Sequence, residues 1–346
     1  MRNFTPHTHA VCFVATLCAL VALASGCAAA VAGPNEDDSS FTIVVLPDTQ
    51  YYARKYPEIL DAQVSWIAAQ RDRAHIALVA HEGDIVDDEG EAAQWQRAAA
   101  SLHRLDGLVP LLLSAGNHDY RRTGTHIDRR TSLDAYFQLQ PSGGAVVGEG
   151  TYEPGRLENS FVRLSIDGES WLVLSLEFGP RDAVLDWAGD LLERYADLPA
   201  IVVTHAYLDA DATRFDHVSR SDQLWNPHRY FADERPGAVN DGEEIWRKLI
   251  ARHANVQFVL CGHALDDGIG RLVSRRADGS TVREVLANFQ TGALGGGGYL
   301  RIMRFTPRRR TVAVETYSPY LNLFKRDPEN QFELTYDDNL HGKDRR

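Results

Sequence analysis

The chain has 346 residues, 44% hydrophobic and 24% charged, which is the composition of a globular protein with one large domain or two ordinary ones. Its formal net charge of −12 excludes an extended basic surface for nucleic acid. A phosphorylated ligand stays compatible with that charge, because a bound metal supplies positive charge locally.

At the N-terminus, Arg2 precedes an apolar run from Ala10 to Ala24, shorter than the roughly 20 residues that span a bilayer. The segment has the grammar of an export signal and stays outside fold reasoning. It ends in Leu23-Ala24-Ser25-Gly26-Cys27, which resembles the bacterial lipoprotein signal, with small residues before the Cys that receives lipid. Residues 1–26 are thus expected to be a signal peptide, and 27–40, rich in Ala, Gly, Pro and acidic residues, a flexible tether. That resemblance implies a cell-envelope protein anchored to a membrane through lipid on Cys27. Cys12 and Cys18 depart with the leader, so Cys261 is left without a disulfide partner and reads as a packed core residue.

Phe41–Leu46 is β-branched and apolar, a buried strand, and it runs into Pro47-Asp48-Thr49-Gln50. Pro57–Arg71 has helical spacing, with proline at the start, where its missing N–H costs nothing. Ile76–Ala80 is a second strand, ending in His81-Glu82-Gly83-Asp84-Ile85-Val86-Asp87. Glu91–Leu105 is a helix. Val109–Leu113 is a third strand, and Ser114, Ala115 and Gly116 let it turn tightly into Asn117-His118-Asp119. Alternation of strand and helix at this pace predicts parallel βαβ units.

A helical piece near 131–139 precedes a glycine-rich loop, 141–156. Residues 159–166 and 171–178 read as a hairpin turning at Asp167-Gly168, and 180–196 as a helix. Ala200–Thr204 is a strand ending in His205. A long polar insertion, 208–239, follows; loops of that length usually serve function, and Trp225 and Tyr230 within it are positioned to shape a pocket. Residues 242–253 form a helix, and Val256–Leu260 a strand ending in Cys261-Gly262-His263. Segments 281–289, 299–306 and 311–317 read as antiparallel strands, and 321–346 as a charged, peripheral tail.

Five strand ends therefore carry ligand-type side chains: Asp48 with Gln50, Asp84, Asn117 with His118, His205, and His263. Ligands collect at the carboxyl ends of parallel strands. Singly, each of these residues is also what a turn or a hydrogen-bonded core histidine would supply. Together, carboxylate, carboxamide and imidazole without thiolate suit Mn, Fe or Zn in a reactive rather than a structural site. A carboxamide oxygen ligates, an imidazole moves a proton, and the Asp119 carboxylate could orient that imidazole.

The series Asp48-x-Gln50, Gly83-Asp84-x-x-Asp87, Gly116-Asn117-His118-Asp119, His205 and Gly262-His263 resembles the calcineurin-like metallophosphoesterase family over residues 41–320. The Pro-Asp-Thr-Gln variant resembles an exported bacterial branch of it. The resemblance implies an α/β fold, a four-layer α/β/β/α sandwich, and divalent metal ions, two in number, at the strand ends. Asp84 would bridge them, Asn117, His205 and His263 would complete one site, and Asp48 and Gln50 would hold the other. His118 and Asp119 would be catalytic, and Asp87 would support them from behind. The family usually has His where Gln50 stands and a second His where this chain has Leu265, so the second metal is expected to bind weakly; Asp266 or Asp267 are candidate substitutes. The implied activity is hydrolysis of a phosphomonoester or phosphodiester on a small-molecule, nucleotide or lipid substrate. The competing reading is a surface binding module on the same fold with a degenerate metal site. Nothing in the sequence indicates the oligomeric state.

The anchoring expectation has a direct check. Cys27→Ser should move the protein from the membrane fraction to the soluble fraction on cell fractionation; an unchanged distribution contradicts it.

Overall fold

The computed structural model describes residues 40–121, 128–139, 145–231 and 235–337. Residues 1–39, with Cys27, and residues 338–346 lie outside them. Among the described residues no helix is long and apolar enough to cross a membrane.

In chain order, β1 is Phe41–Leu46, α1 Gln50–Lys55, α2 Pro57–Gln70, β2 Ile76–His81, α3 Ala92–Leu102 and β3 Leu111–Leu113. Then come α4 Leu133–Tyr136, β4 Val146–Thr151, β5 Ser160–Ile166, β6 Glu169–Leu176, α5 Asp182–Arg194 and β7 Ala200–Thr204. The chain continues through α6 Gly242–Lys248, β8 Val256–Cys261, β9 Ile269–Arg275 and β10 Thr281–Ala287. It closes with β11 Leu300–Thr306, β12 Thr311–Ser318, β13 Leu323–Lys325 and β14 Phe332–Thr335.

The strands make two seven-stranded sheets. One has the order β13-β12-β11-β1-β2-β3, with β14 also on β12; the other runs β4-β5-β6-β7-β8-β10-β9. The β1-β2-β3 set is parallel, as is β6-β7-β8-β10, and the flanks are antiparallel. The candidate ligand-bearing strand ends thus come from two sheets. The sheets pack face to face through the period-2 alternation of strands. Phe41, Ile43 and Val45 share a core with Trp171, Val173, Ile201, Val203, Phe258 and Phe305. Alternate residues Val44 and Leu46 belong to a second core with Ile59, Leu60, Val64 and Trp95 of the helices. The result is an α/β/β/α sandwich. Phe305 knits its centre, stacked on Phe41 at 4.8 Å and edge-on to Trp171 at 5.1 Å.

Two reciprocal hydroxyl bonds join the sheets at the rim that carries the site. Ser175 Oγ donates to Leu113 O at 2.9 Å, and Ser114 Oγ donates to Leu176 O at 3.0 Å. The end of β3 is thereby fixed against the end of β6 across the sheet boundary.

Two sequence expectations change. Residues 146–151, read as loop, are strand β4; Gly148 and Gly150 leave room for cross-strand side chains. A Cβ on Gly150 would lie 2.8 Å from the Phe161 ring, and one on Gly148 would collide with the Arg163 guanidinium. Residues 323–325 and 332–335, placed in a peripheral tail, are edge strands, and Phe332 and Leu334 pack against the inter-sheet core. Cys261 is buried and free, as expected.

Candidate metal centre

Each candidate ligand follows a buried strand within a few residues, and the turns that present them are tight. Asp48, Asp84 and His263 have φ of 36°, 54° and 70°, a region uncommon for non-glycine residues that concentrates at functional sites. Hydrogen bonds hold these turns. The Glu82 N–H donates to Leu46 O at 3.0 Å, and the His263 N–H reaches both Asp48 carboxylate oxygens at 3.3 Å. Glycines permit the approach. A Cβ on Gly116 would fall on Asp84 Oδ1, one on Gly262 on Asp48 Oδ2, and one on Gly83 would lie 2.8 Å from His205 Nδ1.

At the centre stands His205, wholly buried. Its Nδ1 faces Glu82 O at 2.8 Å; a carbonyl only accepts, so Nδ1 carries the proton and Nε2 is left as a lone pair. Around Nε2 lie Asn117 Oδ1 at 3.2 Å, His263 Nδ1 at 3.2 Å and Asp84 Oδ1 at 3.3 Å. The His263 ring is fixed in the same way, because its Nε2 meets Trp225 O at 2.8 Å and Nδ1 is then the lone pair. Four acceptors converge with no donor among them. Only a cation, whether metal or proton, reconciles that set.

The electrostatics agree. Burial and the neighbouring Asp84 charge raise the Asp48 carboxyl to about 8 despite His205. Burial disfavours the His205 imidazolium, yet Asp84 and Asp48 outweigh it and raise that group to about 9. Burial and the positive His205 depress His263 to about 3. Asp84 stays below the usual carboxylate range; burial opposes this, but His205 and His118 prevail. These shifts share one cause: carboxylates crowded out of water favour positive charge at His205.

The second position is poorer. Gln50 Nε2 donates to Asp84 Oδ2 at 2.8 Å, and Gln50 Oε1 is buried without a hydrogen-bond partner. An orphaned carbonyl oxygen beside two buried carboxylates suits a hard cation. Asp48, Gln50 and the outer oxygen of Asp84 are the candidates for that position.

The sequence profile of the calcineurin-like phosphoesterase family matches residues 41–267. The chain belongs to that family. It is 30% identical over 315 residues to the uncharacterised protein YvnB of Bacillus subtilis, covering 86% of this chain and 22% of that protein. The chain therefore spans about a fifth of that relative's length. Its fold is similar to that of purple acid phosphatase PPD1 from yellow lupin seeds, with a TM-score of 0.50 and 12% identity, covering 89% of this chain and 56% of the other.

Within this calcineurin-like framework some expected roles shift. Asp119 does not orient the His118 ring. Its carboxylate accepts from the N–H groups of Ile85 at 2.9 Å, Val86 at 3.0 Å and Gly116 at 2.8 Å, so it staples the Asp84 loop to the Asn117 turn. His118 is positioned instead by backbone: its N–H donates to Asp84 Oδ1 at 2.9 Å and its Nδ1 to Asp87 O at 2.7 Å. Asp87 thus acts through its carbonyl, while its carboxylate faces Arg54 at 3.0 Å. Asp266 and Asp267 are exposed; the Asp267 carboxylate accepts from Ile269 N–H, and the Asp266 backbone carbonyl accepts from Thr291 Oγ1.

Sequence reading missed Glu82 O and Trp225 O as the acceptors that fix the two histidines. It also missed Phe178, whose ring lies 5.7 Å from His205 and 5.1 Å from His263. Tyr230 completes the wall, 5.4 Å from His263. Backbone carbonyls leave no residue-type signal. The sequence pointed only to the 208–239 insertion, with Trp225 and Tyr230, as a pocket-shaping segment.

The glycine geometry predicts that Gly116→Ala leaves the chain folded by circular dichroism but lowers Mn affinity, measured by calorimetry, by about 10–100-fold, the range for displaced ligand support.

Proposed function

We propose that this chain hydrolyses a phosphomonoester or phosphodiester, using a divalent cation held by Asp84, Asn117, His205 and His263. The reading rests on one observation above all: His205 Nε2 is ringed by three further acceptors at 3.2, 3.2 and 3.3 Å. Family membership supports the reaction class, and the donor set supports Mn, Fe or Zn. Asp48, Gln50 and Asp84 Oδ2 would hold a second ion more weakly, since Leu265 contributes no ligand and an amide already covers Asp84.

When bound, the cation would polarise a phosphoryl oxygen and make water a better nucleophile. The protein's own groups do the rest. Glu82 O and Trp225 O keep the two imidazole lone pairs turned inward. Asp119 holds the two ligand loops in register. His118, its Nδ1 proton committed to Asp87 O, has Nε2 left to exchange a proton with the leaving oxygen. Its charged form is favoured, because Asp84 and the Asp87 carbonyl outweigh the burial that opposes it. Phe178 and Tyr230 exclude water from one side of the site, which strengthens every charge interaction within it.

The substrate class is a phosphorylated small molecule, nucleotide or lipid headgroup. The N-terminal sequence supports export and anchoring through Cys27, placing the reaction in the cell envelope. A non-catalytic binding module is the second reading, favoured by Gln50 and Leu265; the positioned His118 weighs against it.

With added Mn, the protein lacking residues 1–26 should cleave aryl phosphomonoesters or diesters. Asp84→Asn should remove turnover, and His118→Ala should lower kcat by about 10²–10⁴-fold, the range for a lost proton donor. Unchanged rates in both variants contradict the assigned roles. Absence of turnover on every substrate, with less than one metal per chain, favours the binding module.

A further inference from the structure

We propose that His217 and His228 of the 208–239 insertion form, with Asp241 and Glu244 at the start of α6, a second, separate cation site of a chemistry that takes zinc or a similar transition metal. The site is independent of the proposed hydrolysis and shares no residue with the centre described above.

The four side chains offer donor atoms that all lie within 4.8 Å of one another. His217 Nδ1 is 2.8 Å from Asp241 Oδ2, and His228 Nε2 is 2.7 Å from Glu244 Oε2. His217 Nδ1 also lies 3.9 Å from that same Glu244 oxygen. The two imidazole rings are stacked, with centroids 3.7 Å apart and planes inclined by 29°. His217 thus meets both carboxylates, and His228 meets Glu244. A tetrahedral zinc ion with bonds near 2.0–2.1 Å needs donors about 3.3 Å apart. Small side-chain rotations bring this set to that spacing.

The charge also fits. Two neutral imidazoles and two carboxylates carry −2, which one dication neutralises. The cation on the next turn, Lys248, is engaged elsewhere, with Asp182 at 2.8 Å and Asn240 at 2.6 Å. The ligands are moreover held from behind, as ligating groups usually are. Asp241 Oδ2 accepts from the His217 N–H at 2.7 Å and from Asn226 Nδ2 at 3.1 Å. Glu244 Oε2 accepts from the Asp241 N–H at 3.1 Å. Asn226 Oδ1 in turn accepts from the His228 N–H at 3.0 Å. Four protein ligands with no open position describe a structural site rather than a reactive one. Access exists, since His217, His228 and Glu244 border a cavity of about 320 Å³.

The placement gives the site a consequence. Trp225, whose carbonyl fixes His263 at 2.8 Å, lies between His217 and His228 in the chain. Tyr230, which packs on His263, lies two residues beyond His228. A cation here pins that stretch to α6 and so steadies one ligand of the main centre.

The test counts metal, using Co²⁺ as the probe because its visible absorption reports four-coordinate binding. In equilibrium dialysis, wild type should take up one equivalent more than His217→Gln/His228→Gln, and that equivalent should carry the intense visible band of a tetrahedral site. Equal uptake by the two proteins overturns the proposal. Glu244→Gln keeps an acceptor for the Asp241 N–H and so preserves the loop. It should weaken that same equivalent at least 10-fold, since losing even an outer partner of a ligand costs about 10–100-fold; unchanged affinity overturns the proposal even where the double variant fails to fold. Turnover plays no part in either readout, so failure of the hydrolytic reading leaves this test intact.

Discussion

Four acceptor atoms that face one another in a dry pocket repel unless positive charge lies among them. That constraint organises the rim of this molecule. His205 Nε2, His263 Nδ1, Asn117 Oδ1 and Asp84 Oδ1 come from four strand ends in two sheets, and backbone carbonyls turn the two imidazole lone pairs inward. Glu82 and Trp225 occupy the outer nitrogens of the histidines with backbone carbonyls. A buried carboxylate without a compensating cation costs several kcal/mol, so a cation held among these groups would relieve their repulsion and stabilise the fold that assembles them.

The close approach has its own requirements. The ligand loops meet with glycine facing carboxylate, Gly116 on Asp84 and Gly262 on Asp48, and three ligands sit at positive φ. Asp119 shows how this is held together. A carboxylate that looked catalytic is a clamp on three backbone N–H groups. Serine hydroxyls bridge β3 and β6 nearby, which makes the boundary between the sheets as firm as the interior of either.

The strand ends were legible because each joins an apolar run to a ligand-type residue, a pattern that depends only on local sequence. The α/β layering was legible from the alternation of strand and helix. Other features were not. The division of five strand ends between two sheets depends on non-local pairing, and apolar runs look alike in either sheet. Strand β4 was hidden because Gly148 and Gly150, which normally disfavour strands, are there to admit Arg163 and Phe161. The edge strands β13 and β14 are short and half-polar. The functions of Glu82, Trp225 and Asp87 reside in carbonyl oxygens that every residue possesses, so no residue type could announce them. Asp119 was misread because its sequence neighbour is His118, whereas its partners in space are backbone groups of residues 85, 86 and 116.

The insertion ties these strands together. It brings a carbonyl and an aromatic ring to His263 while its own histidines meet Asp241 and Glu244 at the start of α6. The central claim is that one cation sits among the four inward-facing acceptors, and anomalous diffraction from crystals grown with Mn tests it most directly. The account predicts a peak within about 2.0–2.4 Å of His205 Nε2, His263 Nδ1, Asn117 Oδ1 and Asp84 Oδ1, ordinary distances for such ligands. Well-ordered side chains at those positions with no anomalous peak between them would contradict it.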